Sequence, residues 1–464
     1  MGCQLHSSWC VLALLCLPAC SSKESETPPA GGVGGSAEET PANGVGNSTE
    51  AWAINFGGDS DDDPGRQHVV ASPDGSVLVG GEFRKTVDFG DGPVTAHAAS
   101  GSTNSFFAKF TSEGKLAWKK TWDADGTPFV LTSGSEIVGG VPGGFQKLDK
   151  NGDEVWKVSV DAEVSALAAG PSGELLVAGA TSDVVDFGQG PIAPSPEIAE
   201  GKASDPQRLL TDIVVAKLRS NGDSIWTHRV LSELPRPQVG DVVRGLAVDA
   251  EGNSVLAVGS AGVDFGLGSV EGVVLAKLDT DGQCVFSRSL ATDSANFRVA
   301  KVALDSAGDI YLVGRTPTAG TDLGAGSISG IFAAKFTPAG ELLWSRGYGG
   351  DMRYVDAVVG PNDTLYIAGN FVGTPDFGNG ALTSASEYGS LFVAMIETDG
   401  NGSANTYGDE AYNVISGVSA STAGAFVTGF IGGSVDFGTG AMVNRSPSPD
   451  DKDLNVYLAK LATK

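Results

Sequence analysis

Residues 246–259 decide how the rest of the chain is interpreted; they are Leu-Ala-Val-Asp-Ala-Glu-Gly-Asn-Ser-Val-Leu-Ala-Val-Gly. Two apolar runs flank the polar segment 249–253, which contains a glycine, and this pattern is typical of a β-hairpin. Val-Asp-Phe-Gly-Leu-Gly follows at 263–268, then Ala-Lys-Leu at 276–278 and a Thr-Asp-Gly turn at 280–282. These elements predict a unit of four short strands, which we name a, b, c and d in chain order.

The same elements recur along residues 51–464, although the second copy, 123–160, is short and lacks the Val-Asp-Phe-Gly segment. That segment begins at Val87, Val185, Val263 and Val435, with variants at Thr321 and Pro375. The Ala-Lys pairs of the c strands end at Lys109, Lys217, Lys277, Lys335 and Lys460, and the aromatic residues that begin the d strands are Trp118, Trp156, Trp226, Phe286 and Trp344.

Four-stranded units that repeat about every 60 residues are typical of a β-propeller, in which each blade packs against its neighbours. In the fifth unit we predict strands at 297–304, 309–315, 330–337 and 341–347. The chain ends on a predicted c strand and begins, at 51–58, on a d strand without a preceding c strand. We therefore predict an all-β, seven-bladed propeller whose N-terminal strand completes the last blade and removes two free strand edges.

Residues 1–19 have the features of a secretory signal peptide. Their apolar run, 9–19, would form a helix about 16 Å long, too short for a bilayer of about 30 Å. The run ends in Leu-Pro-Ala-Cys, which resembles the lipobox of bacterial lipoproteins, so Cys20 is predicted to be the lipidated first residue of the mature chain. The alternative is an ordinary cleaved secretory signal.

Residues 20–50 consist mainly of Ser, Gly, Pro, Thr, Ala and Glu and contain almost no large apolar side chain. Such a segment buries too little apolar surface to offset the entropy of ordering it. We therefore predict three parts: the signal peptide 1–19, a lipidated cysteine with a flexible tether over 20–50, and the propeller over 51–464.

The repeated Ala-Lys strands, the tryptophans after them, the Asn-Gly and Asp-Gly turns and the Val-Asp-Phe-Gly segments together resemble the bacterial seven-bladed β-propeller repeat family. The resemblance covers residues 51–464, and with the lipobox and tether the chain is similar to the propeller lipoproteins of myxobacteria-type genomes. It implies a propeller at the cell surface or in the periplasm and brings no catalytic residues.

The chain has 464 residues and a formal net charge of −26, from 56 acidic and 30 basic side chains. Apolar residues make up 41% of it, too many for a wholly disordered protein. The acidic excess argues against nucleic acid as a partner, because nucleic acid selects Lys and Arg. Four of the five cysteines lie within the first 20 residues, so removal of the signal excludes a disulfide scaffold.

Asp-Phe-Gly also occurs in protein kinases, where the aspartate binds a metal ion, but here no kinase catalytic loop accompanies it. We interpret the motif as a turn in which Asp accepts backbone N–H groups and Phe packs inward. We assign the repeated tryptophans to packing between blades rather than to stacking against sugars. The residues with these structural roles are Asp88, Asp186, Asp264, Asp376 and Asp436, and Trp52, Trp118, Trp156, Trp226 and Trp344.

Two acidic stretches are not part of the repeat. One lies in a predicted d–a connection and the other in the b–c connection of the last blade, so the predicted closure places both at one seam. Ca²⁺ binds several carboxylate and carbonyl oxygens, which suggests Ca²⁺ as a cofactor; the alternative is a solvated acidic surface. The candidate ligands are Asp59, Asp61, Asp62, Asp63, Asp450, Asp451 and Asp453.

The sequence contains no zinc-binding His-Glu-x-x-His, no Gly-x-Ser-x-Gly elbow and no phosphate-binding loop, and we assign no catalytic residue. We predict a secreted, lipid-anchored binding module at the bacterial cell envelope, an outer-membrane lipoprotein on the periplasmic or extracellular side. Its expected partner is a glycan, a peptide or an envelope protein. The alternative is a propeller lyase or hydrolase with a site in the central channel, although predicted inner strands such as 166–169 offer small residues there.

Overall fold

Seven four-stranded antiparallel sheets make up the ring; six are each formed by one continuous stretch of chain, and the seventh combines strands from both ends of the propeller. The inner strands of successive sheets pack side by side, and those of the first and last sheets also meet, which closes a ring. The computed structural model describes residues 51–57, 67–83, 86–96, 104–122, 129–131, 136–141, 144–160, 163–199, 211–230, 242–291, 297–445 and 454–462.

Blades 1 to 3 follow β1 (Trp52–Gly57) in the chain, and in each the strands run from the inner to the outer edge in the order a, b, c, d. Blade 1 has a small extra hairpin, β4–β5, in its b–c connection. The strands are β2 (His68–Ala71), β3 (Val77–Phe83), β4 (Thr86–Asp88), β5 (Pro93–Thr95), β6 (Asn104–Phe110) and β7 (Leu116–Trp122) in blade 1; β8 (Phe129–Leu131), β9 (Ile137–Val141), β10 (Gly144–Leu148) and β11 (Glu154–Ser159) in blade 2; and β12 (Glu163–Ala169), β13 (Leu175–Thr181), β14 (Asp212–Leu218) and β15 (Ser224–Val230) in blade 3.

Blades 4 to 6 have the same strand order. The b–c connection of blade 3 contains a short helix, α1 (Pro196–Ala199). A single 3₁₀ turn, Pro361–Asp363, joins strands a and b of blade 6. The strands are β16 (Val242–Val248), β17 (Ser254–Asp264), β18 (Ser269–Leu278) and β19 (Cys284–Ala291) in blade 4; β20 (Arg298–Leu304), β21 (Ile310–Asp322), β22 (Ser327–Phe336) and β23 (Leu342–Gly349) in blade 5; and β24 (Asp351–Val359), β25 (Leu365–Val372), β26 (Ser390–Ile396) and β27 (Gly402–Tyr407) in blade 6.

The last blade, which we call the closing blade, is built from both ends of the propeller. Its inner strands are β28 (Asn413–Ser421) and β29 (Gly424–Ile431), followed by the small hairpin β30 (Ser434–Val435) and β31 (Met442–Val443) and by β32 (Asn455–Lys460). Strand β1 pairs antiparallel with β32, with Trp52 opposite Lys460 and Ile54 opposite Leu458. The predicted seven-bladed fold and its closure by the N-terminal strand are therefore confirmed.

The fifth unit shows where the predicted strands and the observed strands differ. Strands β20 and β23 begin within one residue of the predicted positions, but β21 continues to Asp322 and β22 already begins at Ser327. Only four residues join these two strands, so their ladder continues into the variant Val-Asp-Phe-Gly segment, with Asp322 opposite Ser327. A short b–c connection thus turns the predicted separate loop into an extension of the sheet.

The core lies between the blades. Every residue of the c strands β6, β14 and β32 is buried, whereas exposed and half-buried residues alternate along the outer strand β11. The closing blade and blade 1 share one apolar cluster in which Phe56 stacks on Phe110 with ring centroids 5.3 Å apart. Each blade therefore buries its faces mainly against its two neighbours.

Candidate functional site

One face of the ring, the turn face, is formed by the a–b and c–d connections and is nearly uniform. In the turn 249–253, the Asp249 N–H donates to the Asn253 carbonyl oxygen at 2.9 Å and the Gly252 N–H donates to the Asp249 carbonyl oxygen at 3.0 Å. Gly252 has a φ of +86°, which only glycine adopts without strain. The same pair of bonds closes the turns 72–76, 111–115, 149–153, 170–174, 219–223, 279–283, 305–309, 337–341 and 397–401.

The repeated tryptophans fasten each blade to the next at this face. The Trp156 indole Nε1–H donates to the Ser220 carbonyl oxygen in the c–d turn of the next blade at 2.9 Å, and the ring lies against Gly222 of that turn. Trp52 and Trp226 are buried, and the other three are half-buried. These indole rings therefore pack between neighbouring blades. The equivalent bonds run from Trp52 to Ser112, Trp118 to Lys150, Trp226 to Thr280 and Trp344 to Thr398.

The buried lysines of four c strands contact acidic side chains at the a–b turn of their own blade. The Lys277 ammonium lies 2.8 Å from a carboxylate oxygen of Asp249, and both side chains are almost fully buried. Burial alone would raise the pKa of Asp249, but hydrogen bonds from Lys277 and Asn253 hold it below its ordinary value. The equivalent pairs are Lys147 with Glu136, Lys217 with Glu174, and Lys335 with Asp305 and Asp309.

The aspartates of the Val-Asp-Phe-Gly segments bind their own backbone. In blade 4 one carboxylate oxygen of Asp264 accepts the N–H groups of Gly266 at 2.6 Å and Gly268 at 3.0 Å. The same two bonds also occur at Asp322, which lies in the variant segment that begins at Thr321. They occur likewise at Asp88, Asp186, Asp376 and Asp436. This geometry is that of a closed turn.

The predicted lipidation site and the predicted calcium ligands lie outside the described residues. They are Cys20 and the acidic residues Asp59, Asp61, Asp62, Asp63, Asp450, Asp451 and Asp453. The described strand ends next to these stretches are neighbours, since Gly57 pairs with Val456. In the ranges that the structure does describe, no three His, Cys, Asp or Glu side chains lie close enough to share a metal ion. No helix in those ranges is long and apolar enough to cross a membrane.

Polar side chains of the inner strands link neighbouring blades. The Lys301 ammonium lies 2.8 Å from one carboxylate oxygen of Asp356, whose other oxygen accepts the Val418 N–H at 3.1 Å. The Ser419 hydroxyl accepts the Ala71 N–H at 2.9 Å across the junction of the closing blade and blade 1. These contacts give the inner-strand side chains Lys301, Asp356 and Ser419 a structural use.

The opposite face, the loop face, is formed by the b–c and d–a connections and is irregular. The b–c connection comprises only residues 142–143 in blade 2 and 265–268 in blade 4, but 182–211 in blade 3 and 373–389 in blade 6. The d–a connection is the single residue 350 before blade 6. A rigid ring with uniform turns on one face and varied connections on the other presents its distinguishing residues on the varied face.

Three tyrosines meet on the loop face of blade 6 and the closing blade, and we call them the tyrosine cluster: Tyr354, Tyr388 and Tyr412. The hydroxyls of Tyr354 and Tyr412 lie 3.3 Å apart, within hydrogen-bond distance. The rings of Tyr388 and Tyr412 meet edge to face, with centroids 6.0 Å apart and an interplanar angle of 74°. Tyr388 is 45% exposed and Tyr354 is 37% exposed, so solvent reaches both rings.

A β-bulge turns the first of these tyrosines outward. The register of β24 against β25 shifts between Met352 and Val355, so both Arg353 and Tyr354 are exposed although consecutive strand residues normally face opposite sides. The Arg353 guanidinium donates to the Glu387 carbonyl oxygen at 3.4 Å and so ties the strand to the b–c connection.

Hydrogen bonds hold the two connections that carry the other tyrosines. The Ser386 hydroxyl donates to the Glu410 carbonyl oxygen at 2.9 Å and accepts the Tyr388 N–H at 3.1 Å. The Asp409 carboxylate accepts the Asn413 side-chain amide at 2.9 Å and the Ser434 N–H at 2.8 Å. The tyrosine cluster is therefore fixed before any partner arrives, which lowers the entropic cost of binding.

The surroundings of the tyrosine cluster are acidic. Glu387, Asp409 and Glu410 are exposed and flank it, with Arg353 as the basic neighbour. Asp351, at the start of β24, pairs with Arg315 at 3.2 Å, so that carboxylate is already compensated. The local charge therefore has the sign of the whole chain, whose net charge is −26.

Comparisons with known proteins find distant similarity to solved structures and give no function for this chain. No protein-family model matches the chain, and no curated protein matches its sequence. The WD40 domain of Pan2 from Neurospora crassa is similar at a TM-score of 0.48 and 10% identity, over 90% of this chain and 98% of that domain. A protein of unknown function from Dyadobacter fermentans is similar at a TM-score of 0.44 and 9% identity, over 88% of this chain and 98% of that one. Likeness at these levels does not indicate an activity.

Proposed function

We propose that this chain is a secreted, lipid-anchored β-propeller that binds a partner at the bacterial cell envelope through the tyrosine cluster on its loop face. The observation that carries the proposal is the contact among Tyr354, Tyr388 and Tyr412. Tyr354 and Tyr388 are exposed on the loop face, whereas Tyr412 also packs, partly buried, against the apolar cluster between the closing blade and blade 1. Exposed aromatic side chains on a fixed backbone are typical of binding surfaces, where tyrosine and arginine contribute a large share of the affinity.

The proposed location rests on the N-terminal sequence. A signal peptide over 1–19 followed by Cys20 would place the mature chain on the outer membrane, on its periplasmic or extracellular side. The lipid would then hold the propeller at the surface, and its partner, a glycan, a peptide or an envelope protein, would be reached by the loop face.

Lipidation is tested by replacing Cys20 with alanine in the full-length chain. The wild type should incorporate a labelled fatty acid and fractionate with membranes, because the thiol of Cys20 accepts the lipid. The Cys20→Ala chain should carry no label and should be released or remain an uncleaved precursor. A correctly processed Cys20→Ala chain that still fractionates with membranes would refute the lipid anchor.

Binding is tested with the immobilised wild-type chain and a Tyr354→Ala/Tyr388→Ala variant, each probed with a glycan array and with solubilised envelope proteins. A partner that is retained by the wild type and lost from the variant supports the proposal. The matched control is Val285→Ala/Leu343→Ala, because these side chains are 52% and 50% exposed and lie on the outer strands of blades 4 and 5. Equal retention by all three chains would contradict it.

A further inference from the structure

We infer that the partner presents a positively charged side chain, arginine or lysine on a protein segment, and that this cation is held between the tyrosine cluster and the carboxylates beside it. The inference rests on the proposed function and specifies the chemistry of its partner. Its basis is that aromatic faces and uncompensated carboxylates occur together at one fixed place on the loop face.

The first step concerns the rings. The faces of aromatic rings carry partial negative charge, and a cation that lies over such a face within about 6 Å is attracted to it. Tyr388 meets Tyr412 with its ring at 74°, and both Tyr354 and Tyr388 are open to solvent. Two exposed phenol rings are thus available to an incoming guanidinium or ammonium group.

The second step concerns the carboxylates. Glu387 immediately precedes Tyr388, and the bond from Ser386 to the Glu410 carbonyl oxygen brings Glu410 to the same place. Within the described part of the chain, neither the Glu387 nor the Glu410 carboxylate forms an ion pair with a lysine or arginine side chain. The carboxylates of the turn face, such as Asp249, are by contrast paired with lysines and buried.

The third step concerns the approach of the partner. A chain with a net charge of −26 attracts cations from a distance and repels anions, so charge complementarity favours a basic partner over an acidic glycan. Arg353 reduces the local negative charge, but its guanidinium donates to the Glu387 carbonyl oxygen and serves the loop. The excess of carboxylates over basic groups at the tyrosine cluster remains.

The test uses the full chain and a dye-labelled peptide of repeated Gly-Ser-Arg units, with binding followed by fluorescence anisotropy at about 0.15 M salt, where long-range attraction is largely screened. The control peptide carries citrulline in place of arginine, which has nearly the same shape without the charge. The arginine peptide should bind and the citrulline peptide should bind at least about tenfold more weakly. Equal binding of the two peptides would overturn the inference.

Variants separate the tyrosine cluster from the general negative charge. Tyr354→Ala and Tyr388→Ala keep the net charge and should each weaken the arginine peptide by about fivefold, whereas Tyr388→Phe keeps the ring and should bind within about twofold of the wild type. Val285→Ala should bind like the wild type. Unchanged binding by both alanine variants would show that the peptide responds only to the overall negative charge of the chain, and it would overturn the inference.

Two further results complete the test. Glu387→Gln/Glu410→Gln should weaken the arginine peptide even if a tyrosine variant fails to fold, and unchanged binding there counts against the inference. A neutral oligosaccharide that binds the wild type and not Tyr388→Ala, together with no binding of the arginine peptide, would overturn the cationic partner but leave the loop-face proposal in place. The two failures are thereby distinguishable.

Discussion

The indole Nε1–H of Trp52 donates a 3.0 Å hydrogen bond to the carbonyl oxygen of Ser112, which lies 60 residues further along the chain. Trp52 belongs to the strand that completes the closing blade, and Ser112 lies in the c–d turn of blade 1. The same residue therefore takes part in closing the ring and in joining the closed blade to its neighbour.

Replacing Trp52 tests this joint role. Trp52→Phe should keep most of the packing, as Phe286 does in blade 4, and should lower the free energy of unfolding by about 1 kcal/mol for the lost hydrogen bond. Trp52→Ala should cost about 3–5 kcal/mol because it also empties the interface. Urea denaturation followed by far-ultraviolet circular dichroism measures both changes. Equal stability of Trp52→Ala and the wild type would contradict the role.

A pair of glycines separates backbone strain from the contact with tryptophan. Gly190 and Gly222 have φ values of +103° and +92°, but an added Cβ would have open space at Gly190 and would lie 3.2 Å from the Trp156 ring at Gly222. Gly190→Ala should lower the free energy of unfolding by about 1–2 kcal/mol through strain alone, and Gly222→Ala should lower it further. Denaturant unfolding measures both changes. Equal losses of unfolding free energy in the two variants would show that packing of the Trp156 side chain does not require a glycine at position 222.

Replacing a buried lysine with methionine should have opposite effects on stability at two equivalent positions, Lys277 and Lys460. Lys277→Met should lower the free energy of unfolding by about 3–5 kcal/mol, because it leaves the buried Asp249 carboxylate without its partner. Burial lowers the pKa of Lys460 despite the attraction of Glu113, so the folded state disfavours its charged form. Lys460→Met should therefore raise the melting temperature, in keeping with Met395 at the equivalent position of blade 6.

The Lys460 effect has a defined dependence on pH. The cost of burying the charged ammonium is fully present at neutral pH and disappears as the pH rises through the ordinary lysine pKa of 10.5, because the unfolded chain is then neutral as well. The gain from Lys460→Met should accordingly shrink above about pH 10. A gain that grows with pH, measured by calorimetry across this range, would contradict the assignment.

Much of the fold could be predicted from sequence because its determinants are local and repeated. The turn at 249–253, the Ala-Lys strand and the tryptophan recur in most units, and one closed ring satisfies all of them. The missing c strand before Trp52 even indicated the closure, since an outer strand without a neighbour must find one elsewhere in the chain. The end of β21 and the start of β22 in blade 5 were missed because they depend on the length of the b–c connection rather than on a motif.

The candidate site was missed for the opposite reason. Tyr354, Tyr388 and Tyr412 lie in three different elements, and nothing in the repeat relates them. The β-bulge at Tyr354 interrupts the alternation of buried and exposed residues, so strand periodicity does not show that this side chain faces solvent. A departure from the repeat pattern in one blade, here Arg-Tyr at the start of strand a, was the available signal.

Calcium binding at the closing seam stays a prediction from the sequence. Millimolar Ca²⁺ should raise the melting temperature relative to NaCl of matched ionic strength, and EDTA should reverse the gain, because a cation that binds only the closed ring stabilises it by mass action. Asp61→Asn/Asp451→Asn should abolish the part specific to calcium. Identical melting temperatures in CaCl₂ and matched NaCl would leave a solvated acidic surface in place of the site.

The most direct test of binding through the loop face is site-specific photocrosslinking of the full-length protein in its native cells. A photoreactive phenylalanine analogue at Tyr388 should give a light-dependent adduct, and the same analogue at Val285, an exposed position on the outer strand of blade 4, should give none. Adducts from both positions alike, or from Val285 alone, would contradict a binding surface at the tyrosine cluster.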